Sequence, residues 1–111
     1  MNVTIIKKRV LNTSFHEEED GTAVMTFEGW FDTAASVQAK RDMDVLEDLL
    51  DHNIVLDLTN LKYISSSGLR LFLGLLKETR AHGGSVSITG MSDYIRTVFD
   101  QTGFSKFFKI L

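Results

Sequence analysis

The sequence predicts an α/β domain in which helices pack against one mostly parallel β-sheet. Strand-like and helix-like segments alternate along the 111 residues in the order β-β-α-β-α-β-α-β, and such alternation is typical of layered α/β structures. The run Ile54 to Leu58 is short and nearly continuous in apolar residues, the pattern of a central strand covered on both faces. Two segments also carry apolar residues at helical spacing. The length fits one domain, residues 1–111.

The N-terminal third predicts a β-hairpin. Val3 to Phe15 mixes apolar and polar residues, so residues 1–14 are interpreted as an edge strand or an N-terminal extension. Four acidic residues, 17–20, then lead into Gly21. An Asp-Gly pair between strand-like runs favours a turn in which both central residues have positive φ. We expect the acidic run to be its solvated flank and Ala23 to Phe31 to be the second strand.

Three helices and two short strands complete the predicted order. Asp32 or Thr33 offers an N-cap for the first helix, Gly83 a stop for the second, and Ser92 and Gly103 the two ends of the third. The strands are expected at 86–88 and 107–111. The apolar stripes of the first and second helices are formed by Ala39, Met43, Leu46 and Leu50, and by Leu69, Phe72, Leu73 and Leu76.

Composition excludes several functional classes. The chain has no cysteine, so disulfides and thiolate catalysis are excluded. Its net charge of −3 makes broad binding to nucleic acid unfavourable. No apolar run approaches a membrane span, and the N-terminal MNVTIIKKRV lacks the order of a signal peptide. We therefore expect a cytoplasmic protein that binds neither nucleic acid nor membrane.

The three consecutive serines between the central strand and the second helix are the main functional signal. Ser65, Ser66 and Ser67 fall at the carboxyl end of a strand, where functional loops of parallel sheets lie. Capping the helix requires one of them, and a helix start also favours an anion. The segment lacks the pattern of a nucleotide-binding loop or a nucleophile elbow. No base is marked, and metal-ligand spacing is absent among His16, His52 and His82. We expect no enzyme activity, cofactor or metal.

The motifs around the serines resemble the STAS domain of anti-sigma factor antagonists. Asp57-Leu58-Thr59 resembles the end of the family's apolar strand, and Ser66-Ser67-Gly68-Leu69 its serine motif. Upstream, Gly29 to Asp32 stands where the family turns into its first helix, and Ile95 to Phe108 is similar to its last helix and strand. The likeness covers residues 15 to 110, so it implies a single STAS-like domain.

The resemblance also implies a regulatory mechanism. In the family, the serine that matches Ser66 is phosphorylated by an anti-sigma factor that is also a kinase, and a phosphatase resets it. Ser65 and Ser67 remain alternative phosphorylation sites, because Ser65 replaces the aspartate that the family usually carries. The expected partner-binding residues are Trp30, Asp32, Ser65, Ser67, Gly68 and Arg70.

Two interpretations stay open at this stage. Trp30, which replaces a polar residue of the family, either packs under its own loop or is exposed as an anchor for a partner. The protein as a whole is either a phosphorylated switch or a STAS scaffold that docks without phosphorylation. A third and weaker hypothesis is a nucleotide- or anion-binding domain.

Overall fold

The computed structural model describes residues 2–3 and 9–111. The edge strand predicted within residues 3–15 is confirmed from Leu11, whereas residues 1 and 4–8 lie outside the described part of the chain. The elements are, in chain order, β1 Leu11–Glu17, β2 Ala23–Phe31, α1 Ala35–Asp42, a 3-10 helix Met43–Leu49, β3 Asn53–Asp57, β4 Leu61–Ile64, α2 Ser66–Ala81, β5 Ser85–Thr89, α3 Asp93–Thr102, a 3-10 helix Phe104–Lys106 and β6 Lys109–Ile110.

One sheet carries all six strands, in the order β1-β2-β3-β5-β6 with β4 beside the second half of β2. Among the strand pairs of the described residues, only β1–β2 is antiparallel, which confirms the mostly parallel α/β class. The connections from β2 to β3, from β3 through β4 to β5, and from β5 to β6 all lead toward the same edge of the sheet. Because such crossovers are right-handed, the three helices lie on one face of the sheet. The opposite face carries polar side chains that are exposed, among them Ser14, His16 and Lys109.

The prediction that the central strand is covered on both faces was wrong. In β3, Ile54 and Leu56 are fully buried, whereas Val55 and Asp57 are half-buried. The register pairs Ile54 and Leu56 with Ala23 and Met25 of β2, so these residues share the face that the helices cover. A nearly continuous apolar run here belongs to a strand with one helix-covered face.

The predicted hairpin is confirmed, but its predicted turn was wrong. Glu17 pairs with Ala23, and the amide of Gly21 donates to the carbonyl of Glu18 at 2.9 Å. Gly21 has a φ of 88°, whereas no described residue other than glycine has positive φ. Asp20 therefore does not take the conformation of a two-residue turn. The amide of Glu18 also donates to the carbonyl of Thr22 at 2.8 Å, so the turn itself consists of residues 19–21 and ends with a left-handed glycine.

Two further differences concern element number and helix type. The sequence reading missed β4, because its four residues follow a turn directly and show no alternation. The first predicted helix is confirmed only over α1, and its second half, with Met43 and Leu46, is a 3-10 helix. The predicted last strand is shortened to β6 by the 3-10 helix before it. Apolar spacing alone does not separate α from 3-10 geometry over two turns.

A group of stacked aromatic rings holds the end of β2 against α2. Phe27, Phe31 and Phe72 are all fully buried. The ring of Phe72 meets those of Phe27 and Phe31 edge-on, with centroid distances of 5.0 and 5.7 Å. Such pairs contribute about 0.5–1.5 kcal/mol each beyond burial. The carboxyl end of β2 and the start of α2 are thereby fixed relative to each other.

Candidate functional site

The serine segment is fixed by hydrogen bonds where β4 meets α2. The amide of Ser65 donates to the carbonyl of Phe31 at 2.8 Å, which ties the segment to the end of β2. Ser65 is extended, with φ −83° and ψ 166°, and its hydroxyl oxygen accepts a hydrogen bond from the amide of Gly68 at 3.2 Å. This is N-cap geometry. The chain then enters α2 at Ser66.

The three serines have different environments. Ser65 is only 6% exposed and is occupied by the cap. Ser66 is exposed, and its hydroxyl accepts a 3.4 Å hydrogen bond from Nη2 of Arg70, one turn later. Ser67 is half-buried and lines a groove between α1 and α2. Ser66 is thus the hydroxyl of the three that is most open to another protein.

Gly68 serves packing inside the domain. It is buried, and a Cβ added there would lie 2.9 Å from Cγ1 of Ile64 and 3.0 Å from the ring of Phe31. A side chain at this position would push α2 away from β2 and β4. The structure therefore gives Gly68, like Ser65, a role in shaping the helix start from within.

Trp30 lies on the sheet face that the helices leave uncovered. Its indole stacks on the ring of Tyr63, with centroids 5.2 Å apart and an interplanar angle of 16°. The guanidinium carbon of Arg9 lies 4.2 Å from the centre of the indole. Trp30 is half-buried between these two side chains. Trp30 therefore packs against Tyr63 and Arg9 and not under its own loop.

Asp32 stands at the junction of β2 and α1. Its carboxylate accepts a 2.9 Å hydrogen bond from the amide of Ala35, the first residue of α1, and the side chain is half-buried. The predicted N-cap at Asp32 or Thr33 was wrong, because the N-cap position of α1 is Ala34, which makes no side-chain cap hydrogen bond; Asp32 instead closes the turn before the helix. Asp32 follows Phe31, whose carbonyl holds Ser65, so both turns meet at the same end of the sheet.

The described residues contain no catalytic constellation around the serines. Nδ1 of His52 hydrogen-bonds to the carbonyl of Gly21 at the amino end of β3, and Nδ1 of His82 to the carbonyl of Glu78 near the end of α2. His16 is exposed on β1. Within residues 2–3 and 9–111 no group of His, Asp and Glu has the geometry of a metal site. Over the same residues, no helix is long and apolar enough to cross a membrane.

A groove between α1 and α2 begins beside the serines. Two depressions line this surface, and they share Lys40, Asp44, Arg70 and Leu71. The first includes Ser67, and the second continues along α2 to Glu78. We call this continuous surface the α1–α2 groove. Sequence reasoning missed it, because a groove between helices depends on how they pack.

Comparison with known proteins identifies the family. Residues 16–111 match the family model described as the STAS domain. A protein named as an anti-sigma factor antagonist, BtrV of Bordetella bronchiseptica, is 31% identical over 91 residues, which cover 82% of this chain and 78% of that protein. The anti-sigma-B factor antagonist of Listeria monocytogenes is 31% identical over 84 residues, or 74% of this chain and 72% of that protein.

Solved structures show the same fold. The Bacillus cell fate determinant SpoIIAA in its phosphorylated form superposes with a TM-score of 0.68, over 90% of this chain and 91% of that chain, at 22% identity. The chain belongs to the STAS domain family and, within it, to the anti-sigma factor antagonists. The predicted family and fold are confirmed.

Proposed function

We propose that this protein is an anti-sigma factor antagonist that works by partner switching at Ser66. In this account the unphosphorylated protein binds an anti-sigma factor that is also a serine kinase, and so frees a sigma factor. Phosphorylation of Ser66 releases the anti-sigma factor, and a phosphatase restores the first state. The proposal places the protein in the cytoplasm, where sigma factors act, and gives it no enzyme activity and no direct contact with nucleic acid.

The observation that carries the proposal is the division of roles among the serines. The hydroxyl of Ser65 is hydrogen-bonded as the cap of α2, and the residue is 6% exposed, whereas Ser66, the first residue of α2, is exposed. A kinase needs access to the hydroxyl that it modifies, so Ser66 is favoured over Ser65. Ser67 is half-buried in the groove, which makes it the weaker alternative. The family resemblance of Ser66-Ser67-Gly68-Leu69 points to the same residue.

The helix start also makes a phosphate on Ser66 compatible with the folded domain. Phosphorylation adds about −1.5 to −2 charges and three acceptor oxygens. The positive end of the helix dipole and the guanidinium of Arg70 both favour a negative charge there. A partner packed over the same surface would have to remove water from that charge at a large cost. We therefore expect phosphorylation to block an interface and leave the domain folded.

Similarity to SpoIIAA supports this reading. That protein has been solved both in a phosphorylated and in an unphosphorylated form, and both forms have the fold of this chain, with TM-scores of 0.68 and 0.74. At 22% identity this likeness bears on the fold alone. It supports the expectation that a domain of this shape keeps its structure in both states.

One observation favours a second candidate, a STAS scaffold that docks without phosphorylation. Ser65 stands where the family usually carries an aspartate. Its hydroxyl caps α2 without supplying the negative charge that a carboxylate would place beside Ser66. A kinase that reads that charge would act on this chain more weakly.

The test is to purify the tagged protein from its own cells under several growth conditions, with intact-mass measurement and site mapping. Partner switching predicts one phosphate on Ser66 and an anti-sigma factor bound only to unphosphorylated protein. Ser66→Ala should lose the phosphate, and Ser67→Ala should keep it. A phosphate on Ser65 or Ser67 would move the site. If no phosphate is found under any condition and the anti-sigma factor is still bound, partner switching is wrong and the scaffold that docks without phosphorylation is supported.

A further inference from the structure

The α1–α2 groove has an apolar floor that its own domain leaves open. Val37 of α1 is 67% exposed although it is β-branched and apolar. Leu71 is half-buried beside it. Gly74 lines the groove, and a Cβ added there would meet no atom within 4 Å. Glycine costs about 1 kcal/mol relative to alanine in a helix interior. An open apolar surface and a costly glycine at the same place favour an occupant.

The charges along the groove run from positive to negative. Lys40, Asp44 and Arg70 line both depressions. Arg41 lines only the depression beside Ser67, and Glu47 and Glu78 line only the other one. The net charge of the lining is therefore positive beside Ser67 and negative at the other end. None of these six side chains forms an ion pair with another described residue. The groove thus presents two opposite charges to whatever occupies it.

We infer that the α1–α2 groove binds an amphipathic helix of the anti-sigma factor, acidic at the end over Arg70 and basic at the end over Glu78. This inference rests on the proposed function for the identity of the partner. Ser67 and Glu78 are separated by about three turns of α2, so the occupant needs about three turns. Its apolar face lies on Val37, Leu71 and Gly74, and its two ends complement the groove charges. Grooves between helices bind such helices in this manner.

Arg70 couples this groove to Ser66. Its guanidinium lines the groove and at the same time donates to the hydroxyl of Ser66. A phosphate on Ser66 draws the guanidinium to itself, because a charge-assisted pair is stronger than a bond to a hydroxyl. The groove then loses one positive charge and gains a negative neighbour. The acidic end of the occupant is repelled where it was attracted before.

Photocrosslinking tests the location of the occupant. Benzoylphenylalanine is placed at Val37 in the full-length protein expressed in its own cells. The matched control is Val45, a second exposed valine, which lies in the 3-10 helix after α1 and does not line the groove. We expect the Val37 probe to link to an acidic-to-basic amphipathic helix of the anti-sigma factor, and the Val45 probe not to link. Links from Val37 to any other kind of segment, or no link at all, would overturn the inference.

Charge reversal tests the polarity of the groove with the purified anti-sigma factor. Arg70→Glu and Glu78→Lys should each weaken binding about 2- to 30-fold, because each reversal replaces the attraction of an exposed pair with a repulsion of similar size. Lys77→Glu is the control for the first, because Lys77 is exposed on α2 outside the groove. Reversing the acidic or basic residue of the linked segment should restore the affinity of the matching variant. Unchanged affinity in both variants would contradict the assignment.

Failure of the groove and failure of the switch give different results. If Ser66 carries no phosphate, but Val37 is crosslinked and both charge reversals weaken binding, the groove assignment is supported and partner switching is wrong. If the phosphate on Ser66 releases the anti-sigma factor while Arg70→Glu and Glu78→Lys bind like the parent, the switch stands and the groove is wrong. Glu78 lies about three turns from Ser66, so its effect is not a disturbance of the phosphorylation site.

Discussion

Replacing Ser65 with alanine separates the structural serine from the regulatory one. The hydroxyl of Ser65 accepts from the amide of Gly68 at 3.2 Å, and the residue is 6% exposed. Little water reaches the amide once the hydroxyl is gone. Loss of an N-cap costs about 0.5–2 kcal/mol, and an unsatisfied buried amide costs about 1–3 kcal/mol. We expect Ser65→Ala to lower the free energy of unfolding by about 1–2 kcal/mol.

Urea denaturation followed by circular dichroism measures this loss. With an m-value of about 2 kcal/mol/M, the middle of the usual range in urea, the midpoint should fall by about 0.5–1 M. Ser66→Ala and Ser67→Ala are matched controls. With respect to the described residues, the side chain of Ser66 makes one hydrogen bond, an exposed one of 3.4 Å, and the side chain of Ser67 makes none. Both should stay within about 0.5 kcal/mol of the parent. A stable Ser65→Ala variant, or an equal loss in Ser66→Ala, would refute the cap assignment.

Four further predictions concern the same domain. Gly74→Ala should raise the free energy of unfolding by about 0.5–1 kcal/mol, because its Cβ meets no atom within 4 Å; Gly68→Ala should lower it by about 1–3 kcal/mol, since its Cβ would lie 2.9 Å from a neighbour. Urea midpoints that move the other way would contradict both. Hydrogen bonds from Thr22 hold the pKa of Asp20 below its usual 3.8, so its stabilising contribution is present above about pH 4 and is lost as the pH falls through the lowered pKa; an NMR titration midpoint at or above 3.8 would refute this. Tyr63→Ala should shift the emission of the single tryptophan to longer wavelength, because half of the ring stack that shields it is removed; an unchanged spectrum would mean that the stack does not shield it.

Much of the fold follows from local patterns in the sequence. The hairpin position and the caps at Ser92 and Gly103 rest on single residues with strong local preferences, and all are confirmed: Ser92 accepts from the amide of Ile95 at 3.2 Å, and Gly103 has a φ of 79°. The α2 helix follows from its apolar stripe, of which Leu69, Phe72 and Leu76 are buried in the core. These features depend on neighbours a few residues away.

The features that sequence reasoning missed depend on tertiary structure. The short strand β4 forms because it pairs with the second half of β2, with an irregular register beside Gly29. Helices cover β3 on one face only, because the three crossover connections all lead toward the same edge of the sheet. The direction of these connections cannot be predicted from local sequence patterns.

The candidate site divides in the same way. The serine motif and its family resemblance brought Ser66 to attention. Which serine is buried, and the groove between α1 and α2, required the packing of the helices. The two partners of Trp30 were not predicted either. Tyr63 lies on β4, the strand that sequence reasoning missed, and Arg9 lies about twenty residues before Trp30 in the chain.

The central claim is tested most directly by measuring the affinity of the purified anti-sigma factor for two forms of the protein, one unmodified and one fully phosphorylated on Ser66. The account predicts at least about 100-fold weaker binding of the phosphorylated form, because a desolvated phosphate costs more than the interface returns. It also predicts unchanged circular dichroism for the two forms. Equal affinity of the two forms, with the phosphate verified on Ser66, would contradict partner switching at this serine.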